Sequence, residues 1–197
     1  MAKEIEAKFL NINKQELIKK LEDIGARKVY DERMMRRCVY NLPKDGAWAR
    51  IRDEGDKVTI SYKCVTKNAL DGVEEVQIEI DNFDRGRELL KELGHIEKAY
   101  QETFRMRYFL DEGEVEFDID TWPALNTFLE IEAPTEEAVK SAAAKLGFDW
   151  SDAKFGAADS VYAGEYNVTE DWIDNDCPLL VFGHLPAELS DENRRIK

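Results

Sequence analysis

Residues 4–9 read Glu-Ile-Glu-Ala-Lys-Phe, alternating ionic and apolar side chains at the period of a strand. Glu4, Glu6 and Lys8 fall on one face, and Ile5, Ala7 and Phe9 on the other. The period then lengthens. Leu17, Ile18, Leu21 and Ile24 recur at helical spacing behind Asn13, a good cap, and Gly25 stops the helix. The strand period returns over residues 28–33, 34–41, 47–53, 57–66 and 73–80, with turn-forming stretches at 43–46 and 54–56. A second helix is expected over 83–93, ended by Gly94, then strands over 99–110, 114–120 and 127–133. Thr135 opens a third helix over 136–146, which Gly147 ends. Each half is a run of strands followed by a helix, without a strict repeat.

From Ser151 onward the chain carries Phe155, Tyr162, Tyr166, Trp172 and the run Leu179-Leu180-Val181-Phe182, which should pack on the body. The pattern predicts one domain over residues 1–185 and a polar, frayed tail over 186–197.

Parity sorts the ionic side chains by sign. Arg50 and Arg52 share a strand face, as do Arg105 and Arg107, and Lys63 lies with Thr59 and Ser61. Acidic faces are Glu75 with Glu79, Glu116 with Asp118 and Asp120, and Glu130 with Glu132. In an open sheet these faces meet water. In a closed barrel they meet one another in the lumen, where opposed basic and acidic walls supply the partners that buried charge demands. Lys and Arg hold phosphate oxygens, and carboxylates hold Mg2+ or Mn2+.

Composition narrows the chemistry. At 197 residues, 43% hydrophobic and 36% charged, the chain suits a soluble globular protein with a real core. No apolar run approaches the ~20 residues of a membrane span, and no cleavable signal opens the sequence. A net charge of −14 argues against nucleic acid or an anionic membrane as partner. Cys38, Cys64 and Cys177 show neither a disulfide framework nor thiolate metal spacing, which favours a reducing cytoplasm. His95 and His184 are the only histidines, without an adjacent nucleophile or acid, so chemistry rests on carboxylates, Lys and Arg.

Taken together, Glu4-x-Glu6-x-Lys8, Arg50-x-Arg52, Tyr62-Lys63, Arg105-x-Arg107 and Leu125-Asn126-Thr127-Phe128-Leu129-Glu130-Ile131-Glu132 resemble the CYTH family, the triphosphate tunnel metalloenzymes. The likeness runs from residue 3 to about 147, and residues 166–182 look like the C-terminal segment of adenylate cyclase-like bacterial members. The resemblance implies an α+β fold: an eight-stranded antiparallel β-barrel with flanking helices, its lumen binding a small-molecule triphosphate and Mg2+ or Mn2+. It implies triphosphate binding by Lys8, Arg50, Arg52, Lys63, Arg105 and Arg107, and metal binding by Glu4, Glu6, Glu116, Asp118, Glu130 and Glu132, with Asp120 on the adjoining wall. Lys8, Arg52 and Glu132 would stand at the reacting centre. Two departures stand out. Leu125-Asn126 replaces the family's Leu-Gly, and either Arg36 or Arg37 could fill the family's arginine before a tyrosine, here Tyr40. The expected activity is metal-dependent hydrolysis of tripolyphosphate, thiamine triphosphate or a nucleoside triphosphate. The alternatives are class IV adenylate cyclase chemistry and a non-catalytic polyphosphate-binding module. Monomer and homodimer both stay open.

Overall fold

The computed structural model describes residues 5–65 and 73–195. Glu4 and the expected strand end at Thr66 lie outside them. The strands are β1 (Ile5–Phe9), β2 (Arg27–Asn41), β3 (Ala47–Asp53), β4 (Val58–Val65), β5 (Val73–Ile80), β6 (Glu97–Leu110), β7 (Val115–Thr121), β8 (Phe128–Ala133) and the two-residue β9 (Leu179–Leu180). The helices are α1 (Lys14–Asp23), α2 (Phe83–Glu92), α3 (Glu136–Lys145) and α4 (Ala158–Glu165). Side chains of Asn13, Asn82 and Thr135 accept from backbone amides to cap the first three helices. Among the described residues no helix is long and apolar enough to cross a membrane.

The sheet runs β1-β8-β7-β6-β2-β3-β4-β5, with every neighbouring pair antiparallel. It curls round a cavity of about 1310 Å³ lined from all eight of these strands. The expected α+β barrel is therefore present, with one correction: among the described residues β1 and β5 share no ladder, so hydrogen bonds do not close the ring. A second difference lies in β2. The separate strands expected over 28–33 and 34–41 are one 15-residue strand, bent by register shifts between Lys28 and Tyr30 and between Tyr30 and Arg33. Bulges bend a strand without ending it, and a bend of this kind lets a long strand follow a curled sheet.

Apolar residues on the outer face of the sheet build the core. Phe9, Tyr108, Phe117 and Ile131 pack with Leu17 and Leu21 of α1 and Val139 of α3. Tyr40 and Ile51 pack with Phe83 and Leu90 of α2. A Cβ on Gly86 of α2 would stand 2.5 Å from Ile80 Cδ1 and 3.2 Å from Ile51 Cδ1, so a larger residue there requires those side-chain ends to shift.

The C-terminal segment covers one end. Tyr162, Tyr166, Ile173, Leu180 and Leu189 join Trp122 and Phe128 in a third apolar cluster. β9 pairs in parallel with Tyr100 and Gln101 of β6, a stretch that β7 leaves free because its own pairing begins at Phe104. The tail is not frayed over 186–195. Leu189 is buried, and Arg194 donates to the Ala124 carbonyl at 2.9 Å. That carbonyl also accepts from the Tyr166 hydroxyl at 2.6 Å. Ala124, at φ 64°, takes the left-handed turn, so Asn126 does not need the glycine that the family motif places there.

Candidate functional site

Strand register places the ionic residues. Lys8 lies opposite Glu130 and Glu130 opposite Asp118, which in turn lies opposite Arg107. Glu6, Glu132 and Glu116 form the next row, and Arg105 opposes Asp120. On the other wall Arg37 pairs with Arg52, Arg50 with Ser61, and Lys63 with Glu75. Glu6, Arg52 and Glu132 line the same cavity, so these side chains converge inward.

Carboxylate oxygens of Glu6, Glu130 and Glu132 lie within 4.8 Å of one another, a spacing that could hold a cation. The Lys8 ammonium sits against two of them, 2.6 Å from Glu6 and 3.0 Å from Glu130, and donates to the Gly156 carbonyl at 2.7 Å. All three of its donors are used. Burial alone would raise the Glu130 carboxyl, but Lys8 and Arg105 outweigh it and hold that group down at about 2. Glu6 goes the other way, raised by burial and by the charge of Glu130. An acid pair set apart in this way offers one firm anion beside one that a cation would help to ionise.

Six cations expected to bind phosphate divide into two groups. Arg105 grips Asp120 through two bonds at 2.6 and 2.5 Å and also contacts Asp118. Arg107 grips Asp118 through two bonds at 2.7 Å and meets Glu116 at 2.6 Å. Burial opposes both charges, yet these carboxylates keep both arginines firmly protonated. Glu116 and Asp118, expected at the metal, are thus engaged by arginine, while Glu6, Glu130 and Glu132 form the convergent acidic set. Lys8 is likewise held by carboxylates.

Arg50 and Arg52 stand differently. Arg50 reaches only to 3.7 Å from Glu75, which Lys63 holds at 2.8 Å, and its buried Nε has no hydrogen-bond partner. Arg52 donates through Nε to Glu54 at 2.8 Å. Burial, with Arg52 and Arg37 close by, pushes Arg50 well below the usual guanidinium range. Arg37 shares this deficit. Burial and the charges of Arg52 and Arg105 push it down to about 9, and among the described residues its one side-chain hydrogen bond runs from Nη2 to Thr103 Oγ1 at 3.1 Å. This wall holds more positive charge than its own carboxylates balance, which is the electrostatic condition for binding a polyanion.

The choice between Arg36 and Arg37 is therefore settled by register. Arg37, opposite Arg52, lines the cavity, whereas Arg36 turns outward to Asp53 at 3.0 Å. Parity put Glu75 on an acidic face, but the family resemblance did not carry it into the candidate set, although it anchors Lys63. The pairing of β2 with β3 and of β4 with β5 is the signal that finds both. Lys154, a residue that could have reached inward from a loop, is exposed and pairs with Lys8 through its backbone.

The sequence profile of the CYTH domain matches residues 2–152, and the chain belongs to that family. A comparison with curated proteins finds no match. Among solved structures the chain is similar to the PH1012 protein of Pyrococcus horikoshii, with 24% identity, a TM-score of 0.65, and 77% of this chain and 94% of that one covered. It is also similar to a protein named as a candidate adenylate cyclase from Vibrio parahaemolyticus, with 15% identity, a TM-score of 0.69 and coverage of 82% and 98%. A third is HpAC1 of Hippeastrum, a candidate adenylyl cyclase described as having a dominant triphosphatase activity, with 18% identity, a TM-score of 0.56 and coverage of 83% and 96%. At these identities the likeness is one of fold.

Proposed function

We propose that the protein is a divalent-metal-dependent triphosphatase that hydrolyses a small-molecule triphosphate inside the barrel. The observation that carries this reading is the opposition, across one cavity, of under-neutralised Arg37 and Arg50 to the acidic set Glu6, Glu130 and Glu132. Membership of the CYTH family and the triphosphatase activity described for HpAC1 agree with it.

The donor set, three carboxylates within 4.8 Å, suits Mg2+ or Mn2+. Such an ion would supply charge neutralisation on the phosphate oxygens. The chain supplies the rest. Arg37, Arg50, Arg52 and Lys63 bind the triphosphate and meet the charge that spreads over the terminal phosphoryl oxygens as its bridging P–O bond breaks. Arg105 and Arg107 fix Asp118 and Asp120 and keep that wall rigid, and Lys8 orients Glu6 and Glu130. Glu132, the third carboxylate of the acidic set, is assigned the proton of the attacking water. Catalysis then rests on positioning and electrostatics and needs no covalent nucleophile.

The test is incubation of the purified chain with Mg2+ or Mn2+ and ATP, tripolyphosphate or thiamine triphosphate. Orthophosphate is the expected product. Cyclic AMP with pyrophosphate from ATP would replace this reading with the cyclase one. Turnover unchanged in Glu130→Gln and Arg50→Met would leave a binding module with a contaminating activity.

A further inference from the structure

Arg52 stands among like charges. It lies opposite Arg37 in the pairing of β2 with β3, and after burial it is the leading cause that pushes Arg37 and Arg50 below the usual guanidinium range. Guanidiniums kept this close repel one another, so an unanchored side chain would swing away from the group.

The anchor lies just past the end of β3. Glu54 Oε1 accepts Arg52 Nε at 2.8 Å and also meets Nη2, while Oε2 is 3.8 Å from the Lys57 ammonium. Arg52 and Lys57 line the cavity; Glu54, 1% exposed, stands behind them. Burial alone would raise its carboxyl, but Arg52 and Lys57 outweigh it and hold the group below the usual carboxylate range.

The turn that carries Glu54 is itself held. The Glu54 amide donates to the Lys57 carbonyl at 2.9 Å, and Gly55, at φ 90°, gives its amide to Asp53 Oδ1 at 2.9 Å. Two arginines of β2 clamp the neighbouring aspartates: Arg36 donates to Asp53 at 3.0 Å, and Arg33 lies 3.0 Å from Asp56. The Arg33 stem also passes 3.4 Å from where a Cβ on Gly55 would stand. A carboxylate fixed by its own turn sets the direction of the guanidinium it binds.

A negative group beside a polyanion site weakens the attraction for the bound ligand. Affinity therefore does not explain a carboxylate here, whereas orientation does. We propose that Glu54 is a positioning residue, aiming Arg52 at the terminal phosphoryl group where charge develops in the transition state. The inference rests on the triphosphate reading above. Glu54 touches no substrate and acts through Arg52. An interaction made stronger in the transition state than in the ground state raises kcat, so Glu54 favours turnover at some loss of affinity.

The test compares the parent with Glu54→Gln, which keeps an acceptor at Oε1 and removes the charge. Turnover of tripolyphosphate with Mn2+ and calorimetric affinity of the metal-free chain are both measured. Glu54→Gln should lower kcat about tenfold or more, toward the roughly hundredfold cost of a misplacement of about 1 Å. Its KM and Kd should stay the same or fall. Combining it with Arg52→Met should give a chain no slower than Arg52→Met alone, because the two act as one unit. A thermal melt confirms that each variant folds; if Glu54→Gln does not, Glu54→Asp keeps the charge, withdraws it by one methylene, and carries the same comparison. A variant that melts lower but keeps the parent's kcat makes Glu54 a purely structural residue. That result, a loss confined to KM, or losses that multiply in the double variant overturns the proposal while the triphosphate reading stands. A parent chain that neither binds nor hydrolyses tripolyphosphate overturns both.

Discussion

The Lys8 ammonium donates to the Gly156 carbonyl at 2.7 Å, so one side chain joins the carboxylate-bearing first strand to the segment that covers the end of the cavity. Its other donors face Glu6 and Glu130. Lys8→Met keeps the stem and removes all three interactions, leaving Glu6 and Glu130 beside Glu132 without the ammonium and with Arg105 3.5 Å from Glu130. Breaking a buried pair costs about 3–5 kcal/mol, and the partial exposure of Glu6 places this case at the lower end. Urea denaturation without metal measures the loss. Mn2+ should restore more stability to the variant than it adds to the parent, because the ion no longer competes with an ammonium. An unchanged urea midpoint would mean that Lys8 does not balance these acids.

Arg37 makes the opposite prediction. Its charge lies among Arg52, Arg105 and buried surface, so the folded state bears it at a cost. Arg37→Met should leave the thermal midpoint unchanged or raise it by several degrees, where 1 kcal/mol is worth roughly 2–4 °C in a chain of this size. The same variant should lose most of the stabilisation that tripolyphosphate gives the parent, since a ligand stabilises only in proportion to its binding. Melts with and without tripolyphosphate check both halves. A large destabilisation without ligand would make Arg37 a structural residue.

These two residues also show what sequence can and cannot tell. Lys8 sits in a short strand where alternation alone fixes its face, and the same is true of Arg50, Arg52, Glu130 and Glu132. Arg37 sits in a 15-residue strand whose bulges at 28–30 and 30–33 break the count from its start, so only pairing with Arg52 reveals its direction. The division of the cations was illegible for a related reason. Alternation says that Arg105 and Arg50 both face inward; it does not say that two aspartates will engage the first while one shared glutamate lies 3.7 Å from the second. The tail misled through composition. One buried leucine and a few hydrogen bonds to backbone carbonyls hold a segment whose average character is polar.

Glu116 gives the site a pH dependence. Burial and the neighbouring charge of Asp118 raise its carboxyl to about 7 despite the contact with Arg107. Unfolded, the group titrates near 4.5. Between those values the folded state holds a proton that the unfolded state has lost, so this group's stabilisation is full below pH 4.5 and disappears as pH rises through about 7. Glu130 has the reverse sign, contributing above its unfolded value of 4.5 and losing that contribution as pH falls toward 2. Glu116→Gln should therefore flatten the decline in stability between pH 5 and 7, measured by urea midpoints at several pH values, and leave the acid limb in place. A decline of unchanged slope would assign it to another group.

Removing residues 186–197 tests whether the tail is an ornament or part of the fold. Leu189 is 2% exposed, and burying a leucine is worth about 1.5–3 kcal/mol. The truncation also removes the Arg194 donor to Ala124, the bond from the Arg195 amide to the Glu165 carbonyl at 2.7 Å, and the bond from the Asn167 amide to the Asn193 carbonyl at 3.0 Å. All of these anchor the segment that carries α4, and through it the covered end of the cavity. A chain ending at Leu185 should melt roughly 5–10 °C lower, at about 2–4 °C per kcal/mol. Leu189→Ala in the full chain should give a large share of that drop, since the apolar contact is its main component. Amide exchange should rise first in residues 158–166, which lose their outer cover, and stay low in β7 and β8, whose core lies under α3. A truncated chain with the parent's melting point and exchange pattern would return these residues to the frayed tail that their composition suggests.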